Sequence, residues 1–148
     1  MRRLLSLLLV VGLWLALVPG ASADEAAARL ATFARAIQLR DVDGFVDTVR
    51  TLRAVNRLPP RYVTKREAEA LGWKPGDDLC RVARGRVIGG DRFGNREGRL
   101  PAASGRSWQE ADLDFACGRR GARRLVFSSD GLVYVTLDHY ESFREVPR

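Results

Sequence analysis

His139 is the only histidine of the chain, and with Glu110, a carboxylate in an alternating stretch, it offers a way to move a proton. An ionised Glu accepts a proton and a protonated His donates one, so the two side chains together can serve as a base and an acid. Lys65, Arg120, Arg123 and Arg124 add cations that, once fixed, steady a developing oxyanion without reorganising. Taken singly, each has an ordinary explanation: a lone histidine is more often structural, and surface carboxylates and arginines serve solubility. The stretch 88–112 offers a second chemistry. It reads I-G-G-D-R-F-G-N-R-E-G-R-L-P-A-A-S-G-R-S-W-Q-E-A-D and gathers Asp91, Arg92, Asn95, Arg96 and Glu97 around Phe93 and Gly94. Glycines at 89, 90, 94 and 98 admit positive φ and close approach of a ligand. A carboxylate beside free backbone N–H groups matches a flat ring that both donates and accepts, as guanine does. By default such a loop is a solvated turn.

The elements that must hold these groups read as helices first and strands afterwards. Residues 24–40 are rich in Ala, Leu and Arg, with Leu30, Phe33, Ala34 and Ile37 at helical spacing. Asp43-Gly44 is expected to break that helix and start another, which carries Phe45, Val49, Leu52 and Val55 and ends before Leu58-Pro59-Pro60. Thr64-Lys65-Arg66-Glu67 is a capping box and predicts a third helix that stops at Gly72. Lys65 then lies in its first turn, against the helix dipole. Pro75-Gly76-Asp77-Asp78 is a turn, followed by a short helical piece over Leu79–Ala83.

From Arg86 onward the period changes to that of strands. Alternation over Trp108–Cys117 puts Ala111, Leu113, Phe115 and Cys117 on one face and Glu110, Asp112 and Asp114 on the open one. Arg124 opposes Leu125 and Phe127 in the next strand, and Asp130-Gly131 predicts a type I′ hairpin. The fold class is α+β: N-terminal helices packed on one face of a C-terminal antiparallel β-sheet.

At 148 residues the chain makes one domain. Met1-Arg2-Arg3, the apolar run Leu4–Val18 and the small residues Ala21-Ser22-Ala23 predict a secretory signal over 1–23, too short for a comfortable membrane span. Its removal leaves no membrane segment. The formal charge is +7, and an excess of cations suits a polyanionic partner. Cys80 and Cys117 are an even pair in a chain expected to leave the cytoplasm, which predicts a disulfide. Two Cys and one His without close spacing make no zinc site.

The 88–112 stretch, L-P-P-R-Y-V-T-K-R-E-A-E-A-L-G-W at 58–73 and D-H-Y-E-S-F at 138–143 together resemble the bacterial guanyl-preferring ribonucleases of the barnase family. The resemblance runs from about Phe45 to the C-terminus, with one single-residue deletion near Lys74. It implies the microbial ribonuclease fold over 43–148, behind a signal (1–23) and a helical extension or propeptide remnant (24–42). It also implies roles for residues. Glu110 matches the general base and His139 the general acid, while Lys65, Arg120 and Arg124 match the phosphate and transition-state cations. Glu97 matches the carboxylate that binds guanine N1–H and N2–H. The backbone of Gly94, Asn95 and Arg96 matches the O6-binding loop, with Phe93 beside it and Tyr140 near the base.

The activity implied is a secreted, metal-independent endoribonuclease that cleaves single-stranded RNA 3′ to guanosine. Its products would be a 2′,3′-cyclic phosphate and then a 3′-phosphate, with no cofactor. A monomer is expected, with a barstar-like protein inhibitor as the implied partner. The alternatives are a catalytically silent secreted RNA-binding module, or the same nuclease deployed as an antibacterial toxin. The sequence departs from the family at Gly131 (Trp in the best-known members), Arg119 (Phe), Gly94 (Ser) and Gly121-Ala122 (Asn-Ser). The first three departures touch packing, phosphate reach and guanine-loop rigidity.

Overall fold

The computed structural model describes residues 19–148. The expected signal therefore lies, up to residue 18, outside the described residues. Helix α1 spans Pro19–Ala36, beginning before the expected Asp24 and running through the Ala21-Ser22-Ala23 step. It ends earlier than predicted, and for a different reason. Gln38 adopts φ 58°, its amide donates to Arg35 O at 3.0 Å, and the Leu39 amide reaches back to Ala34 O at 2.9 Å. That pair of bonds satisfies the last carbonyls of the helix.

Asp43-Gly44 is consequently not a break: α2 spans Val42–Val55, and Gly44 sits in its first turn. Asp41 caps α2 by accepting from the Gly44 amide at 2.9 Å. Gly44 is required because a Cβ there would collide with the Asp41 carboxylate and with the Arg61 guanidinium that crosses the turn. Asn56, left-handed at φ 52°, closes the other end of α2. The expected boundary between residues 42 and 43 thus falls in the first turn of this helix.

Six strands follow in spatial order of sequence: β1 Tyr62–Val63, β2 Val87–Phe93, β3 Trp108–Asp112, β4 Arg124–Ser128, β5 Val133–Thr136 and β6 Arg144–Glu145. All pairs are antiparallel except β1 with β2, which is parallel because α3 (Lys65–Ala70) lies in the connection between them. The sheet buries one face under α1 and α2, where Leu30, Ala34, Phe45, Val49 and Leu52 meet Ala111, Leu125, Phe127 and Val135. A smaller cluster of Ala68, Trp73, Leu79, Ala83 and Ile88 sits with α3 and a 3₁₀ turn at Leu79–Arg81. On the sheet's other face Leu100, Trp108 and Val126 pack with Phe93, Leu132, Tyr134, Tyr140 and Phe143. The α+β class and the helix-covered face agree with the sequence reading.

Three local expectations are corrected. The alternation at Trp108 predicts a strand to Cys117, but β3 stops at Asp112. Asp114 turns left-handed (φ 57°) and its carboxylate accepts from the amides of Arg40 and Asp41 at 2.9–3.0 Å, so the chain leaves the sheet to bind the α1–α2 corner. Phe115 then packs with the smaller cluster instead of the main core. At the β4–β5 turn, a type I′ hairpin needs positive φ at both central residues. Only Gly131 has it (φ 92°), and its amide donates to Ser128 O at 3.2 Å. The loop is the three-residue type, a turn followed by a left-handed glycine. Lastly, Gly89 has no positive φ. It is glycine because a Cβ would come within 2.6 Å of Tyr62 and 2.8 Å of Ala111, inside the sheet and not against a ligand.

Cys80 and Cys117 form the predicted disulfide across 37 residues, with a Cα–Cα distance of 5.5 Å. Closing a loop of that length stabilises by about 4 kcal/mol on the chain-entropy argument. The Cys80→Ala/Cys117→Ala protein is therefore expected to unfold in urea with a stability lower by about that amount. An unchanged midpoint would show that the bridge adds nothing to stability.

Candidate active site

The floor of the site is the sheet face that the helices leave uncovered. Glu110 and Asp112 project from β3 on this face, opposite Val126 and Arg124 of β4. Alternation places Glu110 here correctly but misses its environment: the residue is only 7% exposed. Lys65 Nζ lies 3.0 Å from its Oε1, and the Tyr140 hydroxyl donates to its Oε2. Burial, and then this bond to Glu110, raise the Tyr140 pKa, so the phenol stays a donor. Lys65 stands in the first turn of α3 as the capping box predicts, with both reciprocal Thr64–Glu67 bonds present. Its own amide donates to Asp91 Oδ2 at 3.0 Å. A carboxylate brought in from β2 thus offsets the unfavourable cation at that helix end.

Asp112 organises the cations. Arg120 grips it with two bonds, Nε at 2.7 Å and Nη2 at 2.6 Å, and Arg124 Nε lies 3.0 Å from the same carboxylate. The Arg124 contact is an ion pair by distance only, because the N–H of Nε is not aligned with any acceptor. Burial works against the Arg120 charge, but the bonds and charge of Asp112 outweigh it and leave its pKa raised. Arg124 is 4% exposed and its Nη1 donates to the carbonyls of Gly121 and Arg123. It therefore backs the site, while the partly exposed Arg120 faces it more openly.

Beside this floor lies a cleft of about 580 Å³ lined by Phe93, Gly94, Asn95, Arg96, Glu97, Arg99, His139 and Tyr140, among others. Its loop is braced from within. Asn95, at φ 44°, exchanges side-chain bonds with the Leu100 amide and carbonyl at 2.9–3.0 Å. Among the described residues, no acceptor takes the amides of Asn95 and Arg96. Glu97 is exposed and pairs with Arg99 at 3.0 Å. Arg99 also donates to Tyr140 O at 2.7 Å, tying the loop to the turn opposite. Phe93 stacks on Tyr140 with ring centroids 5.0 Å apart. Gly94 is not left-handed, so no positive φ calls for a glycine there, though a Cβ would press on the Arg96 side chain at 3.3 Å.

His139 and Tyr140 are consecutive left-handed residues, φ 57° and 76°. Such backbone costs of order 1–3 kcal/mol per residue and persists only where neighbours over-determine it. Here the His139 amide donates to Ala122 O at 3.2 Å and the Tyr140 amide to Thr136 Oγ1 at 2.9 Å. Asp138 accepts from the Ser142 hydroxyl and amide and from Thr136, which hold its pKa down at about 2.

The structure gathers Phe93, Gly94, Asn95, Arg96, Glu97, His139 and Tyr140 into one cleft. Glu110, Lys65, Arg120 and Arg124 do not line it, and Tyr140 is the side chain that joins the two groups. The sequence reading gave no role to Asp112, Asp91, Asp138 and Arg99. Asp112 carried a signal, since it stands two residues beyond Glu110 in the same alternation. Asp91 and Arg99 act through partners 26 and 41 residues away, whereas Asp138 closes a local turn with Thr136 and Ser142. Asp78 lies near Cys80 and Cys117, but the sulfurs are bonded to each other, so these residues form no metal centre. Replacing Asp112 by Asn is expected to destabilise the fold by about 3–5 kcal/mol in urea, because the buried Arg124 loses its counter-charge. A loss under about 1 kcal/mol, the scale of an exposed ion pair, would show that Asp112 is not the anchor.

Comparison with known proteins finds ribonucleases. The chain is 56% identical over 91 residues to a "Ribonuclease" of Heyndrickxia coagulans, which covers 61% of this chain and 84% of that protein. It is 56% identical over 91 residues to a "Ribonuclease" of Bacillus intermedius, covering 61% of this chain and 56% of the relative. It is 45% identical over 56 residues to "Guanyl-specific ribonuclease St" of Saccharopolyspora erythraea, covering 37% of this chain and 55% of that one. The sequence model of the family described as Ribonuclease matches residues 47–147, the span that holds both the Glu110 floor and the His139 cleft, and the chain belongs to that family, the barnase family.

Proposed function

We propose that this ribonuclease-family chain is a secreted endoribonuclease that cleaves single-stranded RNA on the 3′ side of guanosine. The observation that carries the reading is Tyr140, which lines the cleft containing Glu97 and His139 while its hydroxyl holds Glu110. That adjacency supports a reading in which base recognition and proton transfer work side by side. Guanine enters against Phe93, with its N1–H and N2–H on the Glu97 carboxylate and O6 on the unoccupied loop amides. The Glu110 carboxylate takes the proton of the ribose 2′-OH as that oxygen bonds to phosphorus. His139 protonates the departing 5′-oxygen, and a 2′,3′-cyclic phosphate remains. Water then attacks the cyclic phosphate with the two roles reversed, giving a 3′-phosphate. Lys65 and Arg120 steady the phosphorane oxygens, and Arg124 reinforces Arg120 through their shared Asp112. The guanyl preference is also supported by the guanyl-specific relative. Export rests on the basic, apolar and small-residue segments of 1–23 and accords with the disulfide. Side chains fill every acid–base and cation role, so the reaction needs no metal.

A bell-shaped pH dependence of RNA cleavage is expected in EDTA. Glu110 must be ionised to accept, so the rate falls on acidification, and His139 must be protonated to donate, so it falls on alkalinisation. Glu110→Ala should slow cleavage by roughly 10²–10⁴-fold. His139→Ala should do as much on RNA and far less on a nitrophenyl phosphodiester, whose leaving group needs no proton. An alkaline limb that survives in His139→Ala would remove His139 from the mechanism.

Base choice is tested separately. Glu97→Ala should lose most discrimination between guanosine and adenosine dinucleotides, because N1–H and N2–H lose their charged acceptor. Equal loss on both substrates would mean that Glu97 does not read the base.

A further inference from the structure

The β3–β4 loop, residues 113–123, holds three of the groups assigned to catalysis. Arg120 belongs to it, Gly121 O accepts from Arg124 Nη1 at 2.6 Å, and Ala122 O accepts from the His139 amide at 3.2 Å. The position of this loop therefore sets the place of a cation, the support of a second and the backbone of the general acid.

The ties that fix the loop are unevenly spread. Its neck is closed by the Leu113 amide on Arg123 O at 3.1 Å, by Asp114 on the amides of Arg40 and Asp41, and by Arg123 on Gln38 O at 2.7 Å. Its outer part turns through two left-handed residues, Cys117 at φ 65° and Gly118 at φ 79°. Residues 115–119 make no hydrogen bond to the described residues. The disulfide from Cys117 to Cys80, on the 3₁₀ turn, is the covalent tie in that stretch, and Phe115 packs against the cluster that includes Leu79 of the same turn.

We propose that the Cys80–Cys117 disulfide is a positioning element of the active site, which makes catalysis depend on the redox state of the bridge. The inference rests on the ribonuclease reading and goes beyond the bridge's part in stability. Cys117 is exposed, so a dithiol reductant reaches its sulfur. A thiolate of the reductant attacks Cys117 Sγ, the S–S bond breaks, and Cys80 leaves as a thiolate that takes up a proton. The second thiol of the reductant resolves the mixed disulfide, frees the Cys117 thiol and leaves the reductant oxidised by two electrons. A disulfide oxidant runs the exchange backward. With the bridge open, residues 115–119 gain freedom, Arg120 is held by Asp112 alone, and the carbonyls behind Arg124 and His139 shift. The guanine loop at 93–97 belongs to another connection and keeps its own braces at Asn95. Activity is then weak where dithiol reductants prevail and full after oxidation.

The test compares oxidised protein, protein reduced with dithiothreitol and protein reoxidised afterwards, using the dinucleotide guanylyl-3′,5′-uridine. Near-UV circular dichroism reports the fold. The expected result is a fall in kcat of roughly tenfold or more on reduction, the scale of a small misplacement of catalytic groups. KM should move by less than about twofold, since ground-state binding of the base is untouched. Reoxidation should restore kcat, whereas reduced protein blocked with iodoacetamide should stay slow. A folded, reduced protein with unchanged kcat would overturn the proposal. Should reduction unfold the chain, the Cys80→Ala/Cys117→Ala pair is measured at low temperature with Arg120 and with Arg120→Ala. A penalty several-fold smaller without Arg120 supports action through that residue, and equal penalties refute it. Oxidised protein that never cleaves the dinucleotide defeats the ribonuclease reading itself, whereas an active but redox-insensitive enzyme defeats only this inference.

Discussion

The buried carboxylate of Asp112 is the constraint that the rest of the site obeys. At 2% exposure it lies in a place where an unpaired charge would be costly, and two guanidinium groups meet it there. One of them, Arg124, stands directly across the ladder from it, so sheet register alone delivers the first partner. The other, Arg120, must be brought back by a loop that leaves the sheet and returns. Arg124 is itself buried and spends further donors on the carbonyls of that loop. A single buried anion thus links the register of β3 and β4 to the return path of the loop and to the place of the cation facing the site.

The same economy governs the other half of the site. Two adjacent residues, His139 and Tyr140, are held left-handed at the end of β5, and neither is a glycine. Asp138 bonds to Thr136 and Ser142 and closes the turn, while Ala122 O and Thr136 Oγ1 take the two strained amides. The strain puts the histidine outward into the cleft and leaves the tyrosine ring between the cleft and Glu110. Tyr140 therefore belongs to both halves: its ring face packs on Phe93 and its hydroxyl on Glu110. Whatever fills the cleft must meet the side chain that holds Glu110.

The helices contribute to the site at a distance. Helices α1 and α2 cover the back of the sheet, which leaves its front for Glu110 and Asp112. The corner between them presents the amides of Arg40 and Asp41 to Asp114. Burial opposes ionisation of Asp114, but those amides and Arg123 outweigh it and leave its pKa lowered. The β3–β4 loop is thus anchored at its neck to a segment preceding residues 47–147, and α1 belongs to the packing that supports the candidate site.

What the sequence by itself determined was local. The Thr64–Glu67 capping box, the two-residue period that points Ala111 to the core and Glu110 away from it, and the residue types able to move a proton or hold a phosphate all depend on neighbours a few positions apart. Pattern alone fails where a distant group overrides it. Asp114 ends β3 because amides 73 and 74 residues earlier need an acceptor. Gln38 ends α1 by its own backbone turn, with no glycine to announce it. The site proper is of this second kind: Lys65 to Glu110 spans 45 residues and Tyr140 to Glu110 spans 30. No periodicity encodes such pairs. Which carboxylate is exposed and which is a buried anchor was decided only when the sheet, the helices and the loops closed on one another, because a charge's partners and its access to water exist only once the chain has folded around it.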